Sequence, residues 1–206
     1  MFQSYITGQL HIYLSLTMVE LEFPAHNPWQ TLHSEEVYES PWIKLTKHDV
    51  INPGGGNGTY SVVHFKNLAL GVIALDEDYN TWLVGQYRYP LNQYTWEIPE
   101  GGGDRNVDPL ISIQRELKEE TGITANKWTH ILDMHLSNSA TDEFCKLYVA
   151  QDLQFGASHP EEDEDLRVIK IPFDELYQIV NNGKLTDSLT VAAVLKVKLL
   201  MLEGKL

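Results

Sequence analysis

Glu116, Glu119 and Glu120 stand within five positions of one stretch, RELKEETGI (115–123). Written on a helix of 3.6 residues per turn, Leu110, Ile113 and Leu117 form an apolar stripe, and the three glutamates occupy roughly a 100° arc beside it. Like charges one turn apart repel by a few tenths of a kcal/mol, so the crowding calls for a compensating partner. A solvated acidic face is the ordinary reading of such a helix. Here, however, it follows three consecutive glycines, Gly101, Gly102 and Gly103, which let backbone approach a ligand and present its carbonyls. Hard oxygen donors grouped in this way suit Mg²⁺ or Mn²⁺, ions that bind through a few carboxylates together with substrate phosphate oxygens.

The elements that must position these acids can be read around them. Asp108 fits the N-cap of the helix, Pro109 its first turn and Gly122 the left-handed position that ends it. Upstream, 37–50 has strand character and leads through the turn cluster NPGGGNG (52–58) into a hairpin with TYSVVHF (59–65). Further strands are expected at 68–76, 81–89 and 94–99, the first of these buried on both faces. The segment EGGGDRNVD (100–108) is expected to be a glycine-rich loop. Downstream, 128–136, 143–153 and 166–172 are expected strands, while Phe173–Asn181 and Ser188–Leu202 have helical apolar spacing. The fold class is α+β, with helices packed on a largely mixed sheet. Residues 1–33 are expected to be an extension, loosely packed, with Met18 a possible natural start, and 34–206 a single domain.

Bulk properties narrow the function. The 206 residues carry a formal charge of −14, which opposes binding to nucleic acid or to an anionic membrane surface. An anionic substrate would have to be brought in by metal ions or local arginines. Cys145 is the one cysteine, so no intramolecular disulfide forms, which suits a reducing cytoplasm. No apolar run is long enough for a membrane span. The eight histidines have no zinc-ligand spacing, no G-x-S-x-G starts a serine triad, and NPGGGNG lacks the Lys-Ser/Thr of a P-loop.

GGGDRNVDPLISIQRELKEETGI (101–123) resembles the Nudix box. Gly101, Arg115, Glu116, Leu117, Glu119, Glu120, Gly122 and Ile123 match it, and Val107 stands where the family has its first glutamate. The resemblance implies a Nudix-type alpha/beta/alpha sandwich with a mixed sheet and a catalytic loop-helix-loop, in which Gly101, Gly102 and Gly122 would be the structural glycines of the loops. It also implies hydrolysis of a nucleoside diphosphate linked to another moiety. Mg²⁺ or Mn²⁺ would be held by Glu116, Glu119 and Glu120, with the Glu100 backbone carbonyl facing a metal and Arg115 fixing a neighbouring carboxylate. The segment QYRYPLNQYTWEIPEGG (86–102) is similar to that of ADP-ribose and nucleotide-sugar pyrophosphatases, making Arg88 the candidate arm for the diphosphate or distal sugar and Glu97 a candidate for a ribose or base. A strand-capping role for Arg88 and a core role for Trp96 are the plainer readings. Asn138 occupies the position where ADP-ribose enzymes tend to have proline, which leaves GDP-mannose-like and other nucleotide sugars open. Ser137, Asn138, Ser139 and Glu143 could line a pocket or make an ordinary turn.

Metal-bound carboxylates have their basicity lowered, so the general base is expected elsewhere. By resemblance it lies on the acidic loop before the EDLRV strand start: Glu162, with Glu164 the alternative. A homodimer joined through N-terminal strands is expected, as is a cytoplasmic location. The competing functions are hydrolysis of oxidised nucleoside triphosphates or dinucleoside polyphosphates, against which the 86–102 segment argues, and a Nudix-like module that binds without turnover. In the latter, one or more box acids should be missing, whereas R-E-x-x-E-E is complete here.

Overall fold

The computed structural model describes residues 20–159 and 165–206. The N-terminal strand character resolves into two strands, β1 (Gln30–Glu39) and β2 (Ile43–Ile51), where the sequence suggested one run over 37–50. Pro41 explains the break, since it lacks the N–H a ladder needs, and the Ser40 hydroxyl accepts the Trp42 and Ile43 N–H groups across the turn. Strand β1 therefore begins inside the span expected to be an extension. The hairpin to β3 (Asn57–Phe65) forms as expected, its turn held by the Asn52 side chain, which accepts the N–H groups of Gly54 and Gly56. These three antiparallel strands make one sheet in the order β1-β2-β3.

Two further sheets carry the rest. The four-stranded sheet has the order β7-β4-β9-β8, from β4 (Asn67–Ala74), β7 (Glu100–Asp104), β8 (Ile123–His135) and β9 (Phe144–Phe155); the β4–β9 pair is parallel and the others antiparallel. The three-stranded one runs β10-β5-β6, from β5 (Asn80–Arg88), β6 (Gln93–Glu97) and β10 (Arg167–Pro172). Helix α1 (Pro109–Thr121) covers one side of the four-stranded sheet: Ile113 and Leu117 pack with Leu70, Val72, Ile123, Tyr148 and Ala150. On the opposite side α2 (Phe173–Asn181) and α3 (Ser188–Leu202) bury Leu176, Ala193, Val194 and Val197 against Ile73, Ile98, Leu147 and Val149. Helix, sheet and helix thus form the expected sandwich.

Alternation in β4 breaks down because both faces are covered, which is why this strand is a nearly continuous apolar run. The glycine-rich segment after Pro99, expected to be a loop, is strand β7, paired with β4 from Gly71↔Glu100 to Asn67↔Asp104. Gly101 and Gly102 are therefore not loop glycines, as the sequence suggested, but ladder residues: Gly101 pairs with Leu70 and Gly102 with Ala69. The edge of β4 supplies backbone partners that hold these glycines extended despite their weak strand preference. At Gly102 a Cβ would lie 3.1 Å from Asn67 Nδ2, so the Asn67 side chain occupies the space a larger residue would need. Gly122 alone keeps the expected role, at the end of α1. Trp96 is partly buried and packs against the α3-side core, the plainer role that its sequence suggested.

Candidate active site

Both ends of helix α1 are fixed as its sequence requires. Asp108 accepts the Leu110 N–H at 3.0 Å, Pro109 opens the first turn, and Gly122, at φ 72°, donates its N–H to the Lys118 carbonyl at 2.9 Å. A side chain at Gly122 would also strike the backbone, since its Cβ would lie 2.3 Å from the Gly156 carbonyl oxygen. Strand β7 crosses the acidic face of this helix at very short range. A Cβ at Gly101 would fall 2.4 Å from Glu116 Cδ, and one at Gly103 2.5 Å from Leu70 Cδ1. Gly101 thereby allows the backbone to lie directly on the carboxylates, while Gly102 faces the Asn67 side chain and takes no part in that approach.

Glu120 is almost fully buried, and its Oε2 accepts the Glu100 N–H at 3.1 Å. Arg115 bridges the other two acids, donating to Glu116 Oε1 at 2.5 Å and to Glu119 Oε2 at 2.6 Å. It fixes two carboxylates, where the sequence suggested one. Among the described residues no three Asp, Glu, His or Cys side chains converge closely enough to form a ready-made metal cage. The donor set nevertheless fits a hard divalent cation: α1 carries three carboxylates, of which Glu116 lies directly against Gly101 and Glu120 accepts the Glu100 N–H. Val107, in place of the family's first glutamate, is exposed.

A second polar cluster adjoins the first. Arg88 Nε donates to both Glu97 oxygens at 3.0 Å, and its Nη2 reaches Glu100 Oε1 at 2.9 Å. Thr95 Oγ1 donates to Glu97 Oε1 at 2.6 Å. Glu97 is buried and turned wholly onto Arg88 and Thr95, so it shapes the site through the guanidinium. The Arg88 side chain is about one-third exposed. Burial, with the neighbouring carboxylates of Asp187 and Glu97, pushes the Glu100 carboxyl well above its usual range despite Arg88. Among the described residues its Oε2 has no hydrogen-bond partner.

Ser137 and Asn138 are exposed in the turn before β9, and Glu143 is half-buried, its carboxyl raised by burial and by Asp142. Glu162 and Glu164 lie outside the described residues; His159, the last described residue before them, donates its N–H to the Glu119 carbonyl at 2.8 Å. Sequence reasoning missed Asp187 and Thr190 at the start of α3. Asp187 caps Thr190 N at 2.7 Å, and Thr190 Oγ1 accepts the Ile98 N–H at 3.0 Å, bringing this helix end against WEIP. The D-x-x-T spacing before an apolar run was the available signal. Also unforeseen is a cavity of about 230 Å³ on the N-terminal sheet lined by Asn27, Trp29, Thr31, His48, Val50 and Tyr60, with Trp29 and Tyr60 edge to face. A larger one, about 560 Å³, opens behind Arg115 and Glu119 against Lys118, Trp128 and His159, away from the Glu100 cluster.

The NUDIX domain matches residues 66–189, and the nucleoside diphosphate sugar hydrolase N-terminal domain matches 29–63. The chain belongs to the Nudix family and is a pyrophosphohydrolase. It is 32% identical over 167 residues to a methanol dehydrogenase activator of Bacillus methanolicus, covering 80% of this chain and 90% of that protein. To an ADP-ribose pyrophosphatase of Mycobacterium tuberculosis it is 32% identical over 178 residues, 84% of each chain. A GDP-mannose pyrophosphatase of Escherichia coli is 26% identical over 89 residues, 42% of this chain and 47% of that one. The crystal structure of an ADP compounds hydrolase shares the fold with a TM-score of 0.77 at 21% identity, covering 89% of this chain and all of the other.

Proposed function

We propose that this protein hydrolyses the diphosphate bond of ADP-ribose or a nucleoside diphosphate sugar, giving a nucleoside monophosphate and a sugar phosphate, with Mg²⁺ or Mn²⁺ as cofactor. The observation that carries the reading is the placement of Glu116 against Gly101 and of Glu120 on the Glu100 N–H, beside the Arg88–Glu97–Glu100 cluster, with Glu119 joined to Glu116 through Arg115. Water adds to one phosphorus, the P–O bond to the bridging oxygen breaks, and that oxygen leaves with the other phosphate. The bound cation supplies charge neutralisation and a more acidic water. Glu116, Glu119, Glu120 and the Glu100 carbonyl would hold it; Arg115 fixes the rotamers of Glu116 and Glu119.

Arg88, oriented by Glu97 and Thr95, meets the diphosphate, and Ser137, Asn138 and Glu143 contact the rest of the substrate. Glu162 takes the proton from the attacking water, with Glu164 the alternative. The protein acts as a homodimer joined through the N-terminal sheet, and the single buried cysteine is in keeping with a cytoplasmic setting. Among the described residues no helix is long and apolar enough to cross a membrane. Pure protein incubated with Mg²⁺ and ADP-ribose, ADP-glucose, GDP-mannose or UDP-glucose, with products separated by chromatography, tests the reading. Release of a monophosphate pair from at least one is expected; turnover of nucleoside triphosphates alone would overturn it.

A further inference from the structure

One face of the N-terminal sheet carries an unbroken line of hydrogen-bonded side chains. Ser34 Oγ lies 2.8 Å from His48 Nδ1, and Thr46 Oγ1 lies 3.0 Å from His48 Nε2 and 2.9 Å from His64 Nε2. His64 Nδ1 lies 2.7 Å from Asp142 Oδ2. The register accounts for the line: Ser34 pairs with His48, Thr46 follows at the next same-face position, and His64 is its diagonal neighbour on β3.

The proton positions follow from one end. Burial opposes ionisation of Asp142, but its hydrogen bonds to His64 and to the Phe65 N–H outweigh it and keep the carboxyl below its usual range. A carboxylate has no proton to give, so His64 Nδ1–H donates. In the Nδ1–H tautomer the His64 Nε2 is bare and accepts a hydrogen bond from the Thr46 hydroxyl. With its one O–H engaged there, the Thr46 oxygen accepts from His48 Nε2–H, and the bare His48 Nδ1 accepts from Ser34.

Asp142 also anchors the turn that precedes β9. Its Oδ1 accepts the Phe65 N–H at 2.9 Å, its own N–H donates to the Val63 carbonyl at 3.3 Å, and the Val63 N–H donates to Ala140 O at 3.0 Å. Tyr60 Oη donates to the Ser139 carbonyl, and Val63 bridges Thr141 as a parallel strand would. The turn is thus held as an added edge of the N-terminal sheet. The next residue, Glu143, alternates with Phe144 and shares the face of Cys145, whose thiol feels the charges of Glu100, Asp187 and Glu143 together.

We infer that His64 and Asp142 are positioning residues: through this directed chain the N-terminal sheet sets where Ser137–Glu143 stands beside the substrate. The inference rests on the reading of those residues as substrate contacts. Asp142→Asn gives a specific signature. The Asn oxygen must stay on the Phe65 N–H, so its NH₂ faces His64, and every link reverses: His64 becomes the Nε2–H tautomer and His48 the Nδ1–H tautomer. Imidazole ¹⁵N NMR of the metal-free protein reads both rings. The expected result is His64 Nδ1–H and His48 Nε2–H in the native protein and the reverse in Asp142→Asn.

Asp142→Ala and Thr46→Val break the chain. Each should raise KM for the diphosphate substrate by about tenfold, the effect of one lost charge-assisted or buried hydrogen bond, with kcat within about twofold, and should speed amide exchange over 137–143. A native His64 in the Nε2–H form, an unmoved His48 in Asp142→Asn, or unchanged KM and exchange in Asp142→Ala would each overturn the inference. Absence of turnover by the native protein would instead overturn the substrate reading, and the tautomer and exchange results would still decide the chain and its clamp.

Discussion

A methyl group at Gly101 has no room, because it would fall 2.4 Å from Glu116 Cδ and 2.7 Å from each Glu116 oxygen. Gly101→Ala should therefore leave the protein folded but displace the Glu116 carboxylate, with a drop in Mg²⁺ affinity, read by metal titration, and most of kcat lost. On the proposed metal site Glu116→Gln and Glu120→Gln should likewise lose most of kcat, because each would remove a ligand charge, and Glu119→Gln should be impaired as well. For the base, Glu162→Gln should cost roughly 10²–10⁴ in rate with metal binding little changed; if Glu164→Gln does so instead, the role moves there. Cys145 provides a test by pH. Burial first, then Glu100 and Asp187, pushes its thiol up to about 12. An unfolded thiol ionises near ~8.5, so the unfolded state loses a proton that the folded state keeps, and the associated stability is lost as pH rises from there through the folded value. A thiol reagent at pH 8 should react with Cys145 only after denaturant is added. The box acids were legible because their spacing is dictated by one helix. Asp187 was not, because it reaches Glu100 only after α3 docks across the sheet.

At the level of elements, local chemistry made α1 readable from end to end. Asp108, Pro109 and Gly122 each do what their positions require. Asp108→Ala should lower stability by about 1 kcal/mol, the usual cost of a lost N-cap. Gly122→Ala should be worse, since it combines a left-handed φ of 72° with a Cβ 2.3 Å from Gly156 O; the ordering of the two denaturation midpoints checks this. Strand β7 was misread as a loop because Gly101, Gly102 and Gly103 have low intrinsic β propensity, and only pairing with β4 makes them extended. The division of 37–50 into β1 and β2 was hidden for another reason. His33, Ser34, Glu35 and Glu36 do not alternate in hydrophobicity, because in the single chain every residue of β1 is exposed.

That exposure bears on the whole molecule. Among the described residues strand β1 is a sheet edge ten residues long with no cover on either face, a feature that folded chains normally pair or bury. Trp29, Leu32, Val37, Tyr38 and Trp42 are all exposed along this part of the chain, with Trp42 at 68% of its full accessibility. Single exposed apolar residues are ordinary, but a group of large ones on an open strand edge marks an association surface. Among the described residues the 137–142 turn occupies only the β3 edge of this sheet. A second copy presenting the same strands would cover this surface, and a two-fold pairing is the simplest closed arrangement. Sedimentation at micromolar concentration should give a dimer. Trp42→Asp combined with Tyr38→Asp should shift the protein to monomer while circular dichroism of the sandwich remains, since neither side chain belongs to the buried core. A native monomer at that concentration would mean that the exposed strand is left to solvent, and the dimer would have to be given up.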